Sequence, residues 1–313
     1  MGAFITPPSP DEELKHLLTP ALLSHIVNCR LPHPKHSAID FAEFGRNIFL
    51  ADPFGPLVKD AVWPVLLVLS KIGLDDTPDL STFLPPPSDP SYPEQCLGLS
   101  LLLDNVPRLL FRGIDQRWTF GYFDKISQRL AETWQSLPAS ERPDGWSRWQ
   151  SMGYGLDYWI GVRFWFGCAF VHSGELSHQR IALEFTDETR CVVESMSGQI
   201  DPYRESREEI LSDPSGFPRE YRKGPPQGDG VTREFFMFWA GMLMDTHYPI
   251  VKRFGRYPYL NAILGREGRR GESEWIAETG HFGEAIGDVA RRVREDVEAG
   301  RWSPLGTDSV MSE

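Results

Sequence analysis

Apolar positions recur along most of this chain at intervals of three and four, the spacing that predicts helices. ITPPSPDEELKHLL opens with Ser9, then Pro10, then acids, the pattern of a capped helix start. A second helix is predicted from Pro56, kinked or restarted at Pro64. LGLSLLLDNVPRLLFRG, FGYFDKISQRLAETWQSL and FFMFWAGMLMDTHYPIVKRFG each read as helices, and YWIGVRFWFGCAFVHSGELSHQRIALEF reads as one long, mostly buried helix. A charged helix over residues 281–299 closes the series. Between these lie TPDLSTFLPPPSDPSYPEQ, a Pro-rich extended linker, and a polar, Pro/Gly-rich excursion over residues 200–230. RCVVESM is the best run of strand type, and it is short. The pattern predicts an all-α protein with Pro-rich loops and little or no strand, and no repeat of about 34 residues is visible.

Composition narrows the partners. The 313 residues suffice for a sizeable core, and ten Trp and nineteen Phe point to a large core or an aromatic-lined pocket. A net charge of −12 argues against a nucleic-acid or anionic-membrane surface, which needs a basic face. No apolar run reaches the roughly 18 residues of a membrane span. The N-terminus has neither the basic start nor the apolar run of a signal peptide. Four scattered cysteines form no disulfide framework and no metal knuckle, which reads as a reducing, cytoplasmic compartment.

Three segments carry the candidate chemistry. In LLLDNVPRLLFRG, Asp104, Arg108 and Arg112 step by four and would share one helical face. They are either a buried ion-pair network or a pocket floor whose guanidiniums hold a carboxylate or phosphate. In RFWFGCAFVHSGELSHQ, Trp165, Cys168, His172, Glu175 and Gln179 form one stripe that turns from apolar to polar at His172. Glu175 is placed to orient His172 for acid–base work, against the plainer reading of a satisfied core histidine. In MDTHYPIVKRFGRYPYLNAILGR, His247 ends a buried helix, Arg256 joins the other arginines, and Asn261 caps a short helix. The plain alternative is a helix corner with Arg256 on carbonyls at a helix end. Two patterns carry less weight. DDTPD at Asp75–Asp79 fits a magnesium–diphosphate motif but holds a Pro and has no second metal motif. His16, His25, His33 and His36 lack H-E-x-x-H geometry, so no metal site is expected.

Taken together, LLLDNVPRLLFRG, FGCAFVHSGELSHQ and HYPIVKRFGRYPYLNAILGR resemble the mainly bacterial domain-of-unknown-function family number 924, in order and rough spacing, over residues 50–277. The resemblance implies an all-α, tetratricopeptide-like helical array or bundle, and it implies fold more than function. It makes residues 1–45 an N-terminal extension and 46–313 a single domain. Asp104, Arg108, Arg112, His172, His247, Arg256, Asn261 and Arg266 keep the family type. Leu109, Gly174, Tyr259 and Leu260 depart from it, so a cavity lined by these positions has become more apolar. Its insertions and tails read as those of a divergent eukaryotic member of fungal type.

These readings converge on a cofactor-independent small-molecule enzyme, suited to specialised metabolism. It would act on a largely apolar substrate by cyclisation, isomerisation or hydrolysis. His172 serves as acid or base with Glu175 and Asp104. Arg108, Arg112, Arg256, Asn261, Tyr259, His247 and Trp165 bind substrate, and an oxyanion falls to the arginines. The rival is a non-catalytic helical binding module for a peptide or small ligand. A third reading is magnesium-dependent chemistry at Asp75, Asp76 and Asp79.

Overall fold

A computed structural model describes residues 9–49, 54–285 and 287–309. Among them every regular element is helical and none is a strand, as the spacing predicts. α1 (Pro10–Leu17) starts on a capping box: Ser9 Oγ accepts from the Glu12 backbone while the Glu12 side chain accepts from Ser9. α2 (Pro20–Arg30) begins on Thr19 and packs along α5 (Tyr92–Ser100), so the first helices share the common core through Leu14, Leu23, Ile26 and Val27. The two backbones approach so closely that Gly98 is required: a Cβ there would lie 2.5 Å from the Leu23 carbonyl oxygen. α3 (Phe41–Phe49) docks on the later helices through Phe41 and Phe44. α4 (Pro56–Ser70) passes through Pro64 as one continuous helix.

The next stretch departs most from a regular helix. α5 does not run straight into α6 (Val106–Leu110); residues Leu101–Asn105 between them form a π-helical turn, closed by the Val106 N–H on the Leu101 carbonyl. Pro107 explains the widening. It has no N–H to give, and its ring crowds the carbonyl four residues back. A second π-helical turn at Thr119–Phe123 precedes α7 (Asp124–Gln135), closed by the Asp124 N–H on Thr119.

The predicted long helix is two. α8 (Leu156–Val171) ends at His172, and α9 (Leu176–Ser197) begins after a turn through Ser173 and Gly174. Apolar periodicity continues across this break, so spacing alone reads through it. RCVVESM lies inside α9, where Arg190 and Val193 are buried on one face. α10 (Gly216–Lys223) belongs to the 200–230 excursion, and α11 (Arg233–Asp245) packs on both α8 and α9. α12 (Tyr248–Phe254), α13 (Glu272–Glu278) and α14 (Gly287–Glu298) complete the bundle.

Buried charge pins the centre of the bundle. Arg190 reaches Asp201 at 2.6 Å and Asp245 at 2.8 Å, and Arg207 adds a bond to Asp245 at 3.1 Å. The helices range from single turns to 22 residues and are interrupted by π-helical turns, so they make an irregular bundle rather than stacked helix pairs of one length. Among the described residues, no helix is long and apolar enough to cross a membrane.

Candidate functional site

The first π-helical turn carries Asp104, which is almost wholly buried. Its Oδ1 lies 2.8 Å from His172 Nδ1 and 3.3 Å from Arg108 Nη1. Arg108 Nη1 also donates to the Asp104 carbonyl at 2.6 Å. Asp124, set just after the second π-helical turn, accepts both guanidinium nitrogens of Arg108, at 2.8 and 2.9 Å. Two buried carboxylates therefore share one guanidinium, and the histidine completes the set. Burial pushes Asp104 up, but Arg108 and His172 outweigh it and hold the group below the usual carboxylate range. Burial and the like charge of Asp104 hold Asp124 above the usual carboxylate range, against the pull of Arg108. Both its oxygens accept from the guanidinium, in the bidentate geometry of a charge-assisted pair.

His172 is held by the turn it sits in. The Val171 carbonyl receives Tyr257 Oη and Gln179 Nε2, and Gln179 Nε2 also reaches the Ser173 carbonyl at 2.8 Å. Ser173 Oγ accepts from the Glu175 backbone at 3.1 Å and meets His178 Nδ1 at 2.8 Å. His178 Nε2 in turn meets Glu132 at 2.6 Å. This Ser–His–Glu series has the residue types of a nucleophilic triad, but Ser173 is 0% exposed and its oxygen caps the turn. It braces His172. The His172 side chain itself is 26% exposed, and among the described residues its Nε2 has no hydrogen-bond partner.

His247 is buried nearby. Its Nδ1 donates to the Leu243 and Met244 carbonyls at 3.1 and 3.2 Å, which leaves Nε2 as an acceptor. Burial first, and the charge of His172 second, drive it from the ordinary 6.5 down to about 3, so it is neutral at pH 7. Five rings close a circuit beside the cluster: Tyr257–Tyr259 at 5.3 Å, Tyr259–Phe282 at 5.8 Å, Phe282–Phe217 at 5.3 Å, Phe217–His247 at 3.7 Å and His247–Tyr257 at 6.1 Å between centroids. Burial raises the Tyr259 phenol, and the charges of Arg108 and Asp124 also act on it, which ties the circuit to the carboxylate cluster.

Cys168 lies one helical turn before His172. Its thiol, Asp104 and His172 are mutually within 4.8 Å, the donor types of a metal site. Burial pushes the thiol well up and its Sγ contacts the Phe164 carbonyl at 3.4 Å, while Asp104 is already taken by Arg108. The arrangement fits a neutral thiol packed behind the dyad.

Several expected positions move. Glu175 does not orient His172: it is exposed at the start of α9, and the orienting carboxylate is Asp104. Arg112 leaves the Asp104–Arg108 face because the helix ends at Leu110, and its Nη1 bonds the Phe111 carbonyl at 2.9 Å. Arg256 and Asn261 serve a different centre. Both converge on buried Glu272: Arg256 at 2.8 and 2.7 Å, Asn261 at 2.8 Å, with the Arg269 N–H at 2.6 Å. Arg256 also holds the Glu267 carbonyl at 2.6 Å, so the helix-corner alternative describes it. Trp165 is buried under Arg30, whose Cζ lies 4.4 Å from its ring. Asp104, Arg108 and His172 come together, and His247 and Tyr259 border them. Asp124, Tyr257 and Glu272 were not singled out by the sequence, and Gln179 only as the polar end of the His172 stripe. An acid set among FGYF gave a signal for Asp124; Glu272, in polar GESEW, gave none.

A family model described as bacterial protein of unknown function (DUF924) matches residues 87–280, which hold the whole Asp104–Arg108–Asp124–His172 cluster and the Glu272 clamp. No curated protein and no solved structure matches the chain. The expectation of a eukaryotic or fungal member of a tetratricopeptide-like group is corrected on both counts. The matching family is described as bacterial, and the helices do not form a tetratricopeptide-like array. The match spans more than half of the chain, and the chain belongs to the DUF924 family.

Proposed function

We propose that this protein is a small-molecule enzyme of acid–base type, with His172 as the proton-transfer group and Asp104 as its orienting partner. The carrying observation is the His172 Nδ1–Asp104 bond on a partly exposed side chain, with no partner for Nε2 among the described residues. Asp104 is fixed in turn by Arg108, and Arg108 by Asp124, so the imidazole is braced through two further layers. The aromatic circuit supports a largely apolar substrate. Of the three reaction types, isomerisation or cyclisation by proton transfer fits best. Arg108 and Arg256 are occupied by carboxylates, and an oxyanion needs free donors. Its four cysteines are unpaired in the structure, which fits a reducing cytoplasmic setting.

The test is a solvent-exchange screen. The protein is incubated in D2O with a panel of apolar small molecules, and deuterium uptake is read by mass spectrometry. Compounds that exchange should lose about 10²–10⁴-fold in rate with His172→Ala. Unchanged exchange in folded His172→Ala rejects the reading.

A binding-module role draws support from a separate feature. A cleft of about 570 Å³ lies between residues 203–226 and α11, floored by Trp239 and Met242 and flanked by Phe235. A peptide-binding screen tests it: Phe235→Glu should abolish captured binders that His172→Ala retains.

A further inference from the structure

The cleft between residues 203–226 and α11 is a groove with a direction. Phe235, Trp239 and Met242 step by four and three along α11, so they stand on one face of that helix, and Thr246 follows one turn on. From Phe235 to Thr246 the helix rises roughly 16 Å. Tyr203 and Ile210 close the opposite wall. Phe235 stands 48% exposed at one end, while Trp239 and Met242 are buried along the floor. Two hydrogen-bond donors in the groove are unused. Trp239 Nε1 and Tyr203 Oη have no partner among the described residues, and neither atom is sealed in the core. Burial, then the charges of Asp201 and Glu220, raise the Tyr203 phenol, so it stays a donor.

The charges lining the groove are paired except one. Asp213 meets Arg219 at 2.7 Å, Arg219 meets Glu220 at 3.1 Å, and Glu220 meets Lys223 at 2.7 Å, a chain of two acids and two bases. Glu209 is exposed at the edge and has no cation partner among the described residues.

An apolar groove that offers donors selects among peptide conformations. A strand needs unpaired strand groups to pair with, and the described residues hold no strand. An amphipathic helix has its carbonyls bonded internally and leaves both donors unmatched. A polyproline II segment has no internal hydrogen bonds, so its carbonyls are free to accept, and at about 3.1 Å per residue five residues span about 15 Å. Proline-rich sequence takes that shape with little ordering cost, and aromatic-lined grooves receive it.

We infer that this cleft binds a proline-rich segment of a partner protein, in polyproline II form, with a basic residue of that segment at Glu209. This rests on the binding-module reading of the cleft and is independent of the His172 site.

Two fluorescein-labelled peptides of equal charge test it on the full chain by fluorescence anisotropy: Pro-Pro-Leu-Pro-Pro-Arg and Ala-Ala-Leu-Ala-Ala-Arg. The proline peptide should bind at least about tenfold more tightly. Phe235→Ala, at an exposed ring outside the core, should abolish that binding. Trp239→Phe keeps a ring, removes the N–H and should weaken it roughly three- to tenfold. Glu209→Gln should weaken the proline peptide and leave an analogue ending in Leu unmoved. Equal binding of the two peptides overturns the inference, as does binding of neither, or proline binding that Phe235→Ala does not change. The two claims separate. If both peptides bind alike and both need Phe235, the proline class fails and the binding module stands. If neither binds and the capture screen yields no Phe235-dependent binder, both fail. Sedimentation of the chain alone covers one other occupant: self-association that Phe235→Glu relieves assigns the cleft to a second copy and overturns the claim of a separate partner.

Discussion

Asp104 and His172 lie 68 residues apart in the chain and meet at 2.8 Å between Oδ1 and Nδ1. Neither is placed by an ordinary α-helix. Asp104 sits in a helix widened to π geometry ahead of Pro107, and His172 in a turn that ends a helix whose apolar pattern would have continued. The contact therefore depends on two local irregularities, each traceable to sequence: a proline that withholds an N–H, and a Ser-Gly pair after the histidine.

The Glu272 clamp is predicted to be the main structural use of the FGRYPYLNAILGR segment. Glu272→Ala leaves Arg256 buried without its partner and should cost about 3–5 kcal/mol in urea denaturation. A loss below about 0.5 kcal/mol, the range of ordinary surface changes, would contradict this.

The same clamp sets part of the acid limit. Arg256, Asn261 and the Arg269 N–H outweigh burial and hold Glu272 at about 2, against an ordinary 4.5. A carboxyl depressed by folding contributes stability above its unfolded value and loses it as pH falls through the folded one. Wild type should lose on the order of 2 kcal/mol from this group as pH falls from about 4.5 to about 2, allowing for solvent screening. Glu272→Gln should lack that component of the pH–stability curve.

His247 acts in a higher window. The unfolded chain takes up a proton at this residue below about 6.5, while the folded chain resists until about 3. Its contribution is therefore present above about 6.5 and is lost progressively toward about 3, on the order of a few kcal/mol. Chemical denaturation between pH 7 and pH 4 should show wild type losing more stability than His247→Gln. Parallel curves would contradict the burial assigned to this ring.

Gly98 gives a packing test remote from the site. Its missing side chain lets α5 lie against the Leu23 backbone, and an added Cβ would meet the Leu23 oxygen at 2.5 Å and its Cβ at 2.7 Å. Gly98→Ala should destabilise by about 1–3 kcal/mol and lower Tm without changing the charge of the site. An unchanged Tm would show that α2 and α5 do not pack this closely.

Helix class and the Asp104–Arg108–His172 set were legible because periodicity and unusual polar residues in apolar surroundings are local signals. What escaped was the pairing. His172 has an acid three residues on, Glu175, yet the turn through Ser173 and Gly174 turns that acid toward solvent, and Asp104 approaches from another helix. Arg112 keeps the i, i+8 spacing from Asp104 but not its face, since the helix stops at Leu110. Arg256 reads the same in sequence as Arg108, and only the position of Glu272 decides that it closes a corner. Spacing within one helix is readable; the partner across helices is set by tertiary packing.

The most direct test of the central claim compares solvent-deuterium exchange in three folded variants: His172→Ala, Asp104→Asn and Glu175→Gln. His172→Ala should lose about 10²–10⁴-fold, Asp104→Asn a substantial part of that, and Glu175→Gln none. Loss in Glu175→Gln with retention in Asp104→Asn would contradict the dyad, and full exchange in all three would remove His172 from the chemistry.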